Sequence, residues 1–384
     1  MFISETPELG AFRLSIRRLM REYGHDYFLK TSEEKTNARE LWEALGETGA
    51  LGVFIPEEYG GGGAGISELA IVSEETAAAG TPLLLISLSP AVCAIMLVRH
   101  GSEKQKAEWL PGLADGSKIL GFAITEPNAG SNTHDITTEA HFQNGEWVLS
   151  GQKYYVSHVD NCDALMVVAK AEGGPDNLPP GPKVFIMPTD SPGLTRTEIA
   201  VEITSPELQY SLFFDEVRLP ADAIVGPQDG LEVLFTGLNP ERISSAALLT
   251  GVARYAIDKA VDYAKQRTVW SNQPIGTHQA ISHPLAHAET MLMGARLLID
   301  LAGREFDSGE QAGVAAAMAK LAASEAATFA LDAAIQTHGG NGMAREYGLS
   351  TLSGLVRLFR IAPVSSEMLL NYISHKALGL PRSY

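Results

Sequence analysis

The chain has 384 residues, 45 % of them hydrophobic, and carries 29 basic against 46 acidic side chains for a net charge of −17. At about 150 residues per domain, that length points to two or three domains with a sizeable core. The acidic balance excludes broad contact with nucleic acid, which needs clustered Lys and Arg, but not nucleotide cofactors, which backbone N–H groups and hydroxyls can hold.

The first ten residues carry Glu5 and Glu8 and no basic run before an apolar one, so neither a secretory signal nor a transit peptide is expected. The first block, 1–118, reads as helix. Phe12, Ile16, Leu19 and Met20 recur at helical spacing, as do Leu41, Ala44, Leu45 and Thr48. Gly60 to Gly63 with Gly65 follow Pro56 and lack the Gly-Lys-Ser/Thr ending of a phosphate loop, which leaves a flexible helix–helix connection. A further helix is expected over 67–79. The most apolar run, 82–98, is interrupted by Ser87, Ser89 and Pro90 and is short for a membrane span, so a buried helix is expected. Only Cys93 and Cys162 occur, with no CxxC pair, which argues against a disulfide framework or a thiolate zinc site and for a reducing, cytoplasmic location.

The second block, 119–226, changes to strands. Asn144-Gly145 between His141-Phe142 and Trp147-Val148-Leu149 is a hairpin signal. Further strands are expected at 154–156, 165–169, 184–187, 194–203 and 210–217, separated by turn clusters. Strands without intervening helices imply an antiparallel sheet. The third block, 227–384, returns to helix. Asn239-Pro240-Glu241 reads as a helix start, with Asn capping, Pro in the first turn and Glu at the positive dipole end. The Ala-rich stretch 312–335 is apolar on more than one side, as in a helix buried among others or at a subunit contact. His278, His283 and His287 cluster, but Pro284 stands where a zinc-protease pattern has its Glu, so no metal is expected. The fold class is therefore α+β: an N-terminal helical domain, a central antiparallel β domain and a C-terminal helical bundle.

Four motifs then carry a resemblance. Thr125-Glu126-Pro127-Asn128-Ala129-Gly130-Ser131-Asn132 opens the strand block. It is followed by Asn144-Gly145 with Gly151-Gln152-Lys153-Tyr154-Tyr155-Val156-Ser157, by Gln273-Pro274-Ile275-Gly276 with Gln279, and by Gln336-Thr337-His338-Gly339-Gly340-Asn341-Gly342. In this order and spacing the chain resembles the acyl-CoA dehydrogenase family over nearly its whole length. The resemblance implies FAD bound between the β domain and the C-terminal bundle, across a subunit contact of a homo-oligomer, dimer or tetramer. Phe122, Thr125, Gly130 and Ser131 match the loop beside the flavin and the acyl-CoA. Tyr155 matches an aromatic residue packed on the isoalloxazine, and Ser157 a hydroxyl near flavin O4 and N5. Arg267, Gln279, Gln336, Gly339 and Gly340 match positions on the FAD pyrophosphate and adenosine of a neighbouring subunit. Trp270 falls in the same cofactor segment, where Trp270-Ser271-Asn272-Gln273 departs from the usual Phe-Gly-Lys.

The resemblance also implies removal of the α-proton of an acyl-CoA by a Glu. The stretch where many members carry that Glu reads Ile361-Ala362-Pro363-Val364-Ser365-Ser366 here, with proline at the position of the base. The subset that includes isovaleryl-CoA and long-chain members uses a motif like L-x-x-E-R, which Leu238-Asn239-Pro240-Glu241-Arg242 matches. Glu241 is thus the expected base, Glu367 the runner-up, and Arg242 a candidate CoA contact. The implied reaction is FAD-dependent dehydrogenation of an acyl-CoA to a trans-2-enoyl-CoA, with an electron-transferring flavoprotein as acceptor. A flavin oxidase or monooxygenase on the same fold, and a non-catalytic FAD-binding subunit of a hetero-oligomer, are the alternatives.

Overall fold

The computed structural model describes residues 5–175, 178–226, 230–270 and 272–383; Ser271 and the first four residues, about which the sequence reading made statements, lie outside them. Helix α1 (Pro7–Leu19) opens with Thr6 accepting the Leu9 N–H and with proline in its first turn, where no donor is needed. Helices α2 (His25–Glu34), α3 (Arg39–Glu47) and α4 (Ile66–Ala78) follow. The glycine-rich connection before α4 is not loose. The N–H groups of Gly62, Gly63 and Ala64 reach the carbonyls of Gly52, Ile55 and Val53, and a Cβ on Gly61 would stand 2.1 Å from the Ile55 oxygen. The apolar run forms one buried rod: α5 (Leu85–Leu88), a π-helical turn (Ser89–Ala94) and α6 (Ile95–His100). Pro90 supplies no N–H, and the regular ladder widens around it. Helix α7 (Glu103–Asp115) starts with a reciprocal cap between Ser102 and Gln105.

The strands β1 (Leu120–Ala123), β2 (Glu139–Gln143), β3 (Glu146–Ser157), β4 (Ala164–Glu172), β5 (Gly181–Pro188), β6 (Leu194–Ile199), β7 (Gln209–Pro220) and β8 (Ile224–Val225) make one eight-stranded sheet. Its order is β6-β7-β3-β2-β4-β5-β8, with β1 beside β4. The Asn144-Gly145 hairpin forms, with both residues at positive φ. Residues 154–156 are not a separate strand but the end of β3, beyond a register shift between Lys153 and Val156. The sheet is antiparallel except along one edge of β4, which takes both β1 and β2 in parallel. The loop 124–138 carries the chain over without reversing its direction, so both strands meet β4 in the same sense.

The C-terminal part contains α8 (Gly230–Gln266), a short hairpin of β9 (Thr268–Val269) and β10 (Gln273–Pro274), α9 (Gln279–Asp307), α10 (Gly313–His338), α11 (Ser353–Leu358) and α12 (Ser366–Lys376). The expected helix start at Asn239 is wrong. Helix α8 is already running at Gly230, and Pro240 lies inside it. Val233, Leu234 and Gly237 bury that added stretch, and packing of this kind outweighs the single ladder hydrogen bond that proline removes. The Ala-rich helix α10 packs along both α8 and α9 as expected. Residues Gly313–Met343 are the one helical stretch among those described that is long and apolar enough to cross a membrane, and 61 % of its apolar window is buried inside the bundle.

Helices α1, α4, α8 and α9 are joined by a buried ionic network. Glu74 accepts from Arg13 (2.6 Å), Arg254 (3.1 Å) and Arg296 (3.0 Å), and Glu75 from Arg13 (2.8 Å), Arg17 (3.0 Å) and Arg254 (2.7 Å). Burial alone would raise the Glu75 carboxyl, but the guanidinium groups of Arg17, Arg254 and Arg13 hold it down to about 2. Helix α4 approaches α8 at Gly251, where a Cβ would sit 2.4 Å from the Glu74 carbonyl oxygen. Gly251→Ala should therefore part the two helices and destabilise the protein by about 1–3 kcal/mol, read by chemical denaturation; an unchanged midpoint would show that the contact gives way freely.

Candidate active site

One face of α8 carries Gly237, Glu241 and Ser244, spaced by four and then three residues. That face looks onto the rod of α5, the π-helical turn and α6. A Cβ on Gly237 would meet Met96 Cε at 2.7 Å and Val92 Cγ1 at 3.2 Å. The Ser244 hydroxyl shares hydrogen bonds with Ser73 (2.8 Å) and Ser87 (3.0 Å). Between these contacts sits Glu241, 5 % exposed. Its carboxylate has no hydrogen-bonded or ion-paired partner among the described residues, whereas buried polar groups are ordinarily paired. Burial pushes it up to about 8, against the lowering influence of Arg242 and Lys320. Because α8 begins well before Glu241, the helix-dipole explanation of this acid does not apply to it. That explanation fits Glu367, which is exposed in the first turn of α12, a helix capped by Ser365.

Arg242 points elsewhere. Its guanidinium donates to Asn239 Oδ1 (3.1 Å) and lies 5.6 Å from the Tyr372 ring centroid, while its buried Nε has no partner. Cys93 connects Glu241 to the sheet: its thiol donates to the Gly121 carbonyl at 3.5 Å, beside Phe122 in β1, and it feels the charge of Glu241.

The loop after β1 packs on the end of β3 as a wall of the β domain. Gly130 and Ser131 are exposed, Thr125 half-buried, and a Cβ on Gly130 would meet nothing within 4 Å. Tyr155 is 53 % exposed and sits at φ +55, a conformation costly for an aromatic residue and one often retained where function needs it. The Ser157 hydroxyl donates to Gln209 Oε1 at 3.0 Å.

What holds this wall is a pair that the sequence reading passed over. Glu126, inside the first motif, and Lys153, inside the second, are both buried and meet at 2.8 Å. Glu126 also accepts from the N–H groups of Thr137 and Thr138 and from the Thr137 hydroxyl. Lys153 also donates to the Ile124 carbonyl (2.9 Å), and the Tyr154 N–H reaches the Thr125 carbonyl (2.8 Å). Burial would raise the Glu126 carboxyl, but Lys153 and the Thr137 and Thr138 donors bring it to about 2. For Lys153 burial outweighs the pair, and the ammonium falls to about 8. The two partners differ because the carboxylate has three further donors and the ammonium only one carbonyl. A charged residue inside each motif, of opposite sign in the two, was the available signal.

The remaining expected cofactor residues gather at the far end of the bundle. Arg267, Trp270, Gln279, Gln336, Gly339 and Gly340 are all exposed, Trp270 by 84 %. They surround the point where Tyr263 stacks on His338 with ring centroids 4.2 Å apart and receives a hydrogen bond from Asn341. Neither Gly339 nor Gly340 has an atom within 4 Å of its missing Cβ. From Glu241 to Arg267 is about 39 Å of helix at 1.5 Å per residue. The Arg267 end of the bundle is therefore well separated from Glu241 within one chain. His283 and His287 are exposed on α9, the latter against Phe329.

Family comparison assigns residues 6–117 to the acyl-CoA dehydrogenase N-terminal domain, 121–217 to the middle domain and 228–378 to the C-terminal domain. The chain is 47 % identical to acyl-CoA dehydrogenase FadE12 of Mycobacterium tuberculosis over 99 % of its own length and 98 % of that protein. It is 31 % identical to the mitochondrial isovaleryl-CoA dehydrogenase of Pongo abelii, over 88 % and 80 % of the two chains. In structure it matches a glutaryl-CoA dehydrogenase from Mycobacterium smegmatis in complex with FADH2, with a TM-score of 0.91 and 26 % identity over 99 % and 97 % of the chains.

The Glu126–Lys153 pair gives a direct test. Glu126→Gln should cost about 3–5 kcal/mol in denaturant unfolding, because it leaves a buried ammonium uncompensated, and the added Lys153→Met should recover part of that loss. The carboxyl is depressed on folding, so its contribution is present at neutral pH and lost as pH falls from about 4 towards about 2. Additive losses in the double variant would rule the coupling out.

Proposed function

As the chain belongs to the acyl-CoA dehydrogenase family, we propose that it oxidises the Cα–Cβ bond of an acyl-CoA thioester to a trans-2-enoyl-CoA with Glu241 as the base. It is an oxidoreductase of that family with FAD as cofactor. The observation that carries the assignment of the base is the buried, unpartnered carboxylate of Glu241, set against an exposed Glu367 and a proline at position 363. A group of this kind in a walled site is a functional candidate on physical grounds.

The residues present fit the cofactor. The open backbone at Gly130, Gly339 and Gly340 lets a ligand approach closely, and Tyr155 presents its ring outward from a strained position. Phe122, Thr125, Gly130, Ser131, Tyr155 and Ser157 would hold the flavin end. Arg267, Trp270, Gln279, Gln336, Gly339 and Gly340 of a second copy would hold the diphosphate and adenosine end, as the family resemblance implies. Bound there, FAD supplies the acceptor for the β-hydride. Glu241 takes the α-proton onto its carboxylate. Burial of that carboxylate makes it a stronger base. Arg242, which now donates to Asn239 and lies near the Tyr372 ring, would turn to meet the CoA moiety. A cytoplasmic homo-oligomer that passes its electrons to an electron-transferring flavoprotein completes the reading, supported by two unpaired, buried cysteines and by the family.

Glu241→Gln should keep its FAD yet bleach with acyl-CoA about 10²–10⁴-fold more slowly under anaerobic stopped flow; a wild-type rate would exclude Glu241 as the base. In the wild-type protein the same reaction should speed up with pH as Glu241 ionises and level off above about 8. Slow reoxidation of the bleached flavin in air separates a dehydrogenase from an oxidase. FAD binding with no bleaching by a broad acyl-CoA panel would instead identify a non-catalytic subunit.

A further inference from the structure

The residues assigned to the flavin end come from two segments, the loop after β1 and the end of β3. Within β3 the register on β7 shifts: Lys153 faces Leu212 and Val156 faces Tyr210, so Tyr154 and Tyr155 together stand against Ser211. Two residues against one make a β-bulge, which gives up ladder hydrogen bonds and re-aims a side chain. Here the loop after β1 takes up what the ladder gives up. The Ile124 carbonyl accepts from the Lys153 ammonium (2.9 Å), the Thr125 carbonyl from the Tyr154 N–H (2.8 Å), and the Glu126 carboxylate from the Lys153 ammonium (2.8 Å). Three consecutive loop residues are thus bonded to two consecutive strand residues. The Lys153 and Glu126 side chains are 0 % and 4 % exposed. With the carboxyl at about 2 and the ammonium at about 8, both are charged at neutral pH. Tyr155 follows at φ +55, its ring edge-on to the Tyr154 ring with centroids 4.4 Å apart. The residue whose N–H is held by the loop therefore carries the ring against which Tyr155 rests.

We propose that Glu126 and Lys153 are positioning residues for FAD: they clasp the loop after β1 to the bulge of β3 and so hold Tyr155 outward as a preset platform for the flavin ring. The proposal rests on the assignment of Thr125 and Tyr155 to the flavin end, while the clasp itself stands without it. Left-handed backbone is costly for a tyrosine and persists where its surroundings over-determine it. Hydrogen bonds between ionised groups are strong enough to do so. Neighbouring side chains of β3 do not serve the same purpose. Gln152 donates to Ser211 (3.3 Å) and Ser157 to Gln209 (3.0 Å), and both tie the strand to β7 rather than to the loop. A platform ordered in advance spares the bound cofactor the cost of ordering it.

The test compares the FAD-loaded wild type with Glu126→Gln, Lys153→Met and the double variant at neutral pH. Release of FAD on dilution gives the affinity. Flavin fluorescence reports contact with Tyr155, since a tyrosine against a flavin ring quenches its emission. Hydrogen exchange reports the Tyr154 N–H. The double variant regains part of the stability lost in Glu126→Gln, but it should still bind FAD at least about tenfold more weakly, the factor that corresponds to one lost bond of this kind. Its flavin should be brighter and its Tyr154 N–H should exchange faster than in the wild type. Gly251→Ala, which loosens a distant helix contact, should leave affinity and brightness at wild-type values. A double variant that binds FAD as tightly and as dimly as the wild type, or a Gly251→Ala protein that matches the double variant, would overturn the proposal. If Tyr155→Ala leaves the flavin as dim as in the wild type, the placement of Tyr155 at the flavin fails, while exchange at Tyr154 still decides the clasp.

Discussion

A carboxylate stays buried without a hydrogen-bonded partner only where the surrounding elements are held by other forces. Here that force is the packing of α8, a 37-residue helix buried along most of its length. Gly237 admits the rod of α5 and α6, and Gly251 admits α4. The guanidinium groups of Arg13, Arg254 and Arg296 lock the far side through Glu74 and Glu75. With both flanks fixed, Glu241 lies between them with only 5 % of its surface exposed. The raised affinity of this acid for its proton follows from the rigidity of its neighbours.

The interior charges divide by the kind of partner they have. Glu74, Glu75 and Glu126 are saturated with donors and act as fasteners between helices or between the ends of a loop. Glu241 and Lys320 have no ionic partner at bonding distance among the described residues, and burial moves both towards about 8. Saturated pairs add rigidity; unsaturated ones keep their titration within reach of neutral pH. The surface follows another rule again. A chain with a net charge of −17 repels anions through its overall field, so local groups rather than net charge would have to hold an anionic ligand.

Much of the architecture was legible because it rests on local chemistry. The helical spacing of Phe12, Ile16 and Leu19, the Asn144-Gly145 turn, and the all-round apolar character of α10 each depend on residues a few positions apart. The motif around Glu241 was readable for the same reason, as a short run of fixed residue types. The start of α8 was misread because Asn-Pro-Glu is a sound local capping pattern. It was overruled by the burial of Val233, Leu234 and Gly237, which no local rule weighs.

The sequence by itself determined the order of helices, strands and helices, the family, and which acidic residue to examine. The tertiary structure alone decided that Glu241 is enclosed and unpaired among the described residues, that Lys153 meets Glu126, and that Lys320 fastens the carbonyls of Ala362 and Val364. The physical reason is distance along the chain. Burial, a charge's neighbours and the span of a helix are properties of elements brought together from remote parts of the sequence, and the strength of each depends on solvent exclusion that arises only once they have packed.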